Sequence, residues 1–87
     1  NHPLLMSTRL VADTLSWVSG SPPPAPSKST AKTRYRQPDQ DCTIVRVDGD
    51  TLEAEFEQPQ RAVTPGQSIV FYDGDRCLGG GIIDRTS

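Results

Sequence analysis

A polypeptide does covalent chemistry with a nucleophile held beside a base, a cluster of metal ligands, a carboxylate pair or a glycine-rich phosphate cradle. This sequence offers little of that. His2 is the sole histidine, so a Ser-His-Asp or Cys-His arrangement has only that side chain to use, and at the second position it reads as solvated. Cys42 and Cys77 are the only cysteines and stand too far apart for a Cys-x-x-Cys zinc or redox motif. Each falls in a strand pattern, where a buried, reduced thiol acting as a small apolar residue is expected. Asp48/Asp50 and Asp73/Asp75 bracket Gly49 and Gly74. Aspartate favours such turns for its own backbone geometry, and the rest of an EF-hand loop is missing, so no metal site is expected there. Gly79-Gly80-Gly81 runs into Ile82 and Ile83, whereas a phosphate loop opens a helix and carries a following Lys with Ser or Thr. A strand stripped of three side chains instead lets another backbone approach closely, or bends at a barrel corner.

The stretch Lys32 to Arg36 offers binding chemistry instead. Thr30, Lys32, Arg34 and Arg36 alternate with Ser29, Ala31, Thr33 and Tyr35, which puts the cations on one face of a strand. Such a face can track a phosphate backbone while Tyr35 stacks on a base or ribose. It can equally be a solvated edge strand on which charge discourages aggregation. The charge balance favours a local patch: residues 1 to 36 carry five bases (Arg9, Lys28, Lys32, Arg34, Arg36) against one acid (Asp13), and the remainder four bases against ten acids. With a formal net charge of -2, nucleic acid would be met locally and not by a general positive field.

The elements that must position these residues are short strands. Leu5 to Asp13, continued by Leu15 and Trp17, reads as the first, although Leu10, Val11, Thr14, Leu15 and Val18 also fit a helical face. Residues 19 to 27 hold four prolines and should form a mobile surface loop; Pro23 to Pro26 is formally a Pro-x-x-Pro peptide. Lys28 to Arg36 follows, then Cys42 to Val47 and Thr51 to Phe56, the latter with Leu52, Ala54 and Phe56 inward and Glu53, Glu55 and Glu57 outward. Ser68 to Asp73 and Arg76 to Ile83 complete an all-β set of six strands, the pattern of a small barrel. At 87 residues the chain makes one thin-cored domain, and no apolar run approaches the roughly 18 residues of a membrane span.

Several segments carry a family resemblance. Ala62-Val63-Thr64-Pro65-Gly66-Gln67, the apolar strand after it, Phe71-Tyr72-Asp73-Gly74 and Cys77-Leu78-Gly79-Gly80-Gly81-Ile82-Ile83 closely resemble the segment that closes the tRNA-specific 2-thiouridylases (MnmA/TrmU family). Lys32-Thr33-Arg34-Tyr35-Arg36-Gln37, with Cys42 and Thr43 after it, resembles that family's preceding motif, and Asn1 to Ser7 and Trp17-Val18 are similar as well.

The resemblance implies a six-stranded antiparallel β-barrel similar to the second domain of translation GTPases, and it favours strand for the first segment. It implies that residues 1 to 87 are the single C-terminal domain of a larger, cytoplasmic protein whose catalytic and central domains are absent. For the parent it implies ATP-dependent (with Mg2+) conversion of the wobble uridine of tRNA to 2-thiouridine, using persulfide sulfur from a sulfur-relay protein or a cysteine desulfurase. The barrel itself is then expected to bind tRNA through Arg34, Tyr35 and Gln67, with Lys32 and Arg36 on phosphates, and to bind no cofactor and do no catalysis. In a regular strand Arg34 and Tyr35 point to opposite faces, so both reach RNA only near a strand end or through a backbone contact. The alternative is a protein-binding barrel of a translation-related protein, with Glu53, Glu55 and Glu57 meeting the partner. A free-standing methyltransferase lacks any nucleotide or S-adenosylmethionine loop here.

Overall fold

The structure, a computed structural model, describes residues 6–33, 40–61 and 65–86. Six strands, β1 (Met6–Trp17), β2 (Ser27–Lys32), β3 (Gln40–Asp48), β4 (Thr51–Arg61), β5 (Ser68–Asp73) and β6 (Arg76–Thr86), form a closed antiparallel barrel in the order β1-β4-β3-β2-β5-β6. Closure pairs every strand on both sides and so removes the exposed edges of an open sheet. The all-β, six-stranded barrel expected from the sequence is therefore what forms.

The interior is made of Leu10, Ala12, Ala31, Cys42, Ile44, Leu52, Ala54, Phe56, Ile69, Phe71 and Ile83, all buried. In β4 the alternation holds, with Leu52, Ala54 and Phe56 inside and the three glutamates outside. The hairpins β3-β4 and β5-β6 each turn on two residues, Gly49-Asp50 and Gly74-Asp75, with both glycines at φ 62. A positive φ at the first central position matches the right-handed twist of the flanking strands.

The helical alternative for the first segment resolves into a β-bulge. Leu10 and Ala12 point inward before it, and Leu15 and Trp17 pack against the core after it, so the inward phase changes from even to odd numbers. The β1-β6 register shifts between Asp13 and Ser16, and Thr14 takes φ 52, a left-handed conformation costly for a β-branched residue. The shift frees two donors, and one carboxylate receives both: the Thr14 and Leu15 N–H groups donate to Asp50 Oδ2 and Oδ1 at 3.1 and 2.8 Å. Asp50 thus clamps the β3-β4 turn onto β1, a task beyond the local turn role its spacing suggests.

The glycine triplet of β6 lies in mid-strand, where β6 runs between β1 and β5. A Cβ on Gly80 would fall on the Ile69 carbonyl oxygen, and one on Gly81 would meet the Asp13 carbonyl oxygen. The close-approach reading holds, and no helix follows the triplet.

The antiparallel order collects Met6, Lys32, Gln40, Arg61, Ser68 and Thr86 at one rim. The opposite rim carries the two tight turns and the exposed proline-rich loop. Among the described residues no helix is long and apolar enough to cross a membrane.

Two substitutions test this account by urea unfolding. Gly80→Ala should lose about 1–3 kcal/mol through overpacking against the β5 backbone. Asp50→Ala should lose a similar amount, about 1–3 kcal/mol, by removing two hydrogen bonds to a charged carboxylate.

Candidate functional site

Gln67 stands at the rim where β5 begins. Pro65 and Gly66 make the turn before it, Gly66 N–H donates to the Ile83 carbonyl at 2.8 Å, and Ile83 N–H donates to the Gln67 carbonyl at 2.8 Å. These bonds carry the β5-β6 ladder one step past the strand and fix the Gln67 backbone. Its half-buried side chain combines donor and acceptor in one amide.

Lys32 ends β2 and pairs with Val70 of β5, three residues beyond Gln67. The end of the basic strand and the glutamine turn therefore share one rim. Thr33 is already a bend, so the regular strand expected to run to Arg36 stops at Lys32 within the described residues. Arg34, Tyr35 and Arg36 lie outside the described residues.

The charge asymmetry of the sequence is partly dissolved by the fold. Arg9 on β1 reaches Glu53 (Nη1 to Oε2, 2.6 Å) and Glu55 (Nε to Oε2, 3.6 Å). Arg46 on β3 also meets Glu53 (3.6 Å), and Lys28 on β2 meets Glu57 (3.3 Å). Exposed pairs of this kind contribute only about 0–1 kcal/mol each. Their consequence is electrostatic: the outward glutamates of β4 face bases of their own chain, which weakens them as a docking face for a basic protein. Lys28, one of the five early bases, is engaged in the same way.

The remaining candidates have structural roles. Asp73 pairs with Arg76 (3.5 Å) across its turn, and Asp50 holds the β1 bulge. Among the described residues no group of three or more His, Cys, Asp or Glu side chains is placed to hold a metal ion. Cys42 is a buried free thiol, as expected, but Cys77 is exposed, against the expectation of a buried one. The cause is a second phase change, since Phe71 pairs with Gly79 and Tyr72 with Cys77, so Leu78 is the extra residue and turns inward in place of its neighbour. The Asp50 clamp left no local signal in the sequence because its partners on β1 are remote.

Fold and rim geometry define a class first. The sequence pattern of the aminomethyltransferase beta-barrel domain matches residues 7–83, and the chain belongs to that family. Within it the similarity is particular: the chain is 55% identical over 86 residues to the tRNA-specific 2-thiouridylase of Marinobacter nauticus, covering 99% of this chain and 22% of that protein. It is 58% identical over 83 residues to the enzyme of the same name from Cupriavidus metallidurans (95% and 23%) and 59% identical over 87 residues to that of Alkalilimnicola ehrlichii (99% and 24%). The resemblance carried by the closing hairpin is therefore borne out. The chain spans about a quarter of the length of these relatives.

Burial makes Cys42 a titration probe of the core. Desolvation raises its thiol from 9.0 to about 11, partly offset by a hydrogen bond with Ser29, its cross-strand neighbour. The unfolded thiol ionises first, so stability is retained below pH 9 and lost as pH rises towards about 11. Cys42→Ala should remove roughly 2–3 kcal/mol of that alkaline loss, read as the difference between the two pH-stability profiles.

Proposed function

We propose that this barrel is the tRNA-binding C-terminal domain of a tRNA-uridine 2-sulfurtransferase, one that makes 2-thiouridine at the wobble position. The observation that carries this reading is the 55–59% identity, over nearly the whole barrel, to proteins named tRNA-specific 2-thiouridylases. The rim geometry supports it: Lys32 and Gln67 stand at one end of the barrel, the end from which the Arg34-Tyr35 segment follows β2 in sequence. The alternation that would send Arg34 and Tyr35 to opposite faces applies within a regular strand, and the described strand stops at Lys32. In this reading Arg34, Tyr35 and Gln67 contact the RNA, with Lys32 and Arg36 on phosphates.

The contribution of such a barrel is positional. A closed sheet with a fixed rim holds the tRNA body in one orientation, so that delivering the anticodon base to a separate catalytic pocket costs less entropy. ATP with Mg2+ supplies the activation of the uridine oxygen in the parent. The glycine triplet does not form a cradle for the nucleotide, because it is mid-strand, sits between two backbones and opens no helix. Persulfide sulfur from a sulfur-relay protein or a cysteine desulfurase, and a cytoplasmic setting, belong to the same reading of the parent.

Arg34→Ala combined with Gln67→Ala in the full-length protein should weaken tRNA binding about tenfold or more, a loss of about 1.4 kcal/mol per decade. The measurement is tRNA affinity at several salt concentrations, since phosphate contacts also steepen the salt dependence. Unchanged affinity removes the RNA role. The isolated barrel with tRNA, ATP and a sulfur donor should form no 2-thiouridine, and turnover would overturn the division of labour.

A further inference from the structure

One outer face of the barrel is built differently from the rest. Where β1, β6 and β5 run side by side, an open groove of about 390 Å³ lies along the glycine triplet, walled by Thr14, Ser16, Val18, Val70, Cys77 and Ile82. Among the described residues no charged side chain lines it. The neighbouring outer face, across β1, β4 and β3, is covered by the ion pairs of Arg9, Arg46, Glu53 and Glu55. Val18, 74% exposed, is the large apolar side chain left open to solvent among the described residues, and it stands at the groove's far end. There the groove meets a second cavity, of about 180 Å³, between the proline-rich loop and Cys77-Leu78.

We propose that this groove is the surface on which the remainder of the longer polypeptide docks, as an intramolecular domain contact through uncharged, mainly apolar side chains. Three observations select that occupant. The relatives are about four times as long as this chain, so a covalently attached neighbour is implied by their length. The absence of charge in the groove disfavours RNA, whose binding is dominated by cations on phosphates. The groove is open and confined to three strands, whereas a stable contact with a free partner or a second copy covers roughly 20–30 residues a side. A tethered domain needs less, because the linker holds it at an effective concentration on the order of millimolar. The glycines that let β6 pass close to its neighbours thereby also leave a floor without side chains, on which another chain can seat. This proposal does not depend on the RNA-binding role of the opposite rim.

Cys77, exposed in the barrel and part of the groove wall, is the reporter, and buried Cys42 is the unreactive control. The full-length protein is treated with a maleimide, and labelling of the Cys77 and Cys42 peptides is followed by mass spectrometry. Native Cys77 should be labelled about tenfold or more slowly than in Val18→Asp, in which a charge at the groove's end releases the neighbouring domain. A nearby carboxylate by itself raises a thiol's pKa and slows labelling, so acceleration reports opening and not local electrostatics. Val18 is exposed, and an unchanged circular dichroism spectrum with slow Cys42 labelling will show that the variant barrel is intact. Open-thiol reactivity of Cys77 in the native protein overturns the proposal. Protection that appears only when tRNA is added, or that vanishes on dilution, overturns it in favour of RNA or a second copy.

Discussion

The barrel depends on a backbone contact that no side chain can occupy. For β6 to pair with both β1 and β5, its middle must pass close to the carbonyl oxygens of Asp13 and Ile69, and the glycine triplet permits that approach. A closed sheet has no frayed side on which to relieve a misfit. The accommodation appears instead as bulges, at Thr14 in β1 and beside Leu78 in β6. Each lets an apolar residue re-enter the core with its phase reversed, so Leu15, Trp17 and Leu78 add to the buried interior. Asp50 makes the first bulge tolerable by taking both freed donors.

That solution divides the surface. The outer side of β4 is a charged lattice in which acids of one strand meet bases of its neighbours, so it offers little unbalanced field to a partner. The groove along the glycine triplet of β6 has no charged residue in its lining, although Arg76, Asp84 and Arg85 stand exposed elsewhere on the same strand. The rim with Lys32 and Gln67 is neither: its backbone is tied down by bonds between Gly66, Gln67 and Ile83 while polar side chains stand at its edge.

How much of this was legible in the sequence follows from where the period of two survives. Thr51 to Phe56 alternates without interruption, and its burial could be read residue by residue. The first strand resembled a helical face because a bulge merges two strand phases into one irregular spacing, and the same device reversed the burial of Cys77. Asp50 looked like turn chemistry because turns are local and its hydrogen bonds are not. Gln67 at a rim was readable from the Pro-Gly turn before it, whereas the end of β2 at Lys32 was not, since Thr33 to Arg36 continues the alternation without a break in composition. The family was legible because its motifs lie on constrained turns and glycines, where few alternatives fold.

The shared rim of the first and last strands has a mechanical meaning. β1 begins and β6 ends at that rim, and the two are hydrogen-bonded antiparallel neighbours, Leu10 opposite Thr86. Tension applied through the two ends would therefore part the β1-β6 seam like a zip, one hydrogen-bonded pair after another, and would not shear many bonds together. A sheet that is closed around its whole circumference is, along this one direction, a structure that opens pair by pair.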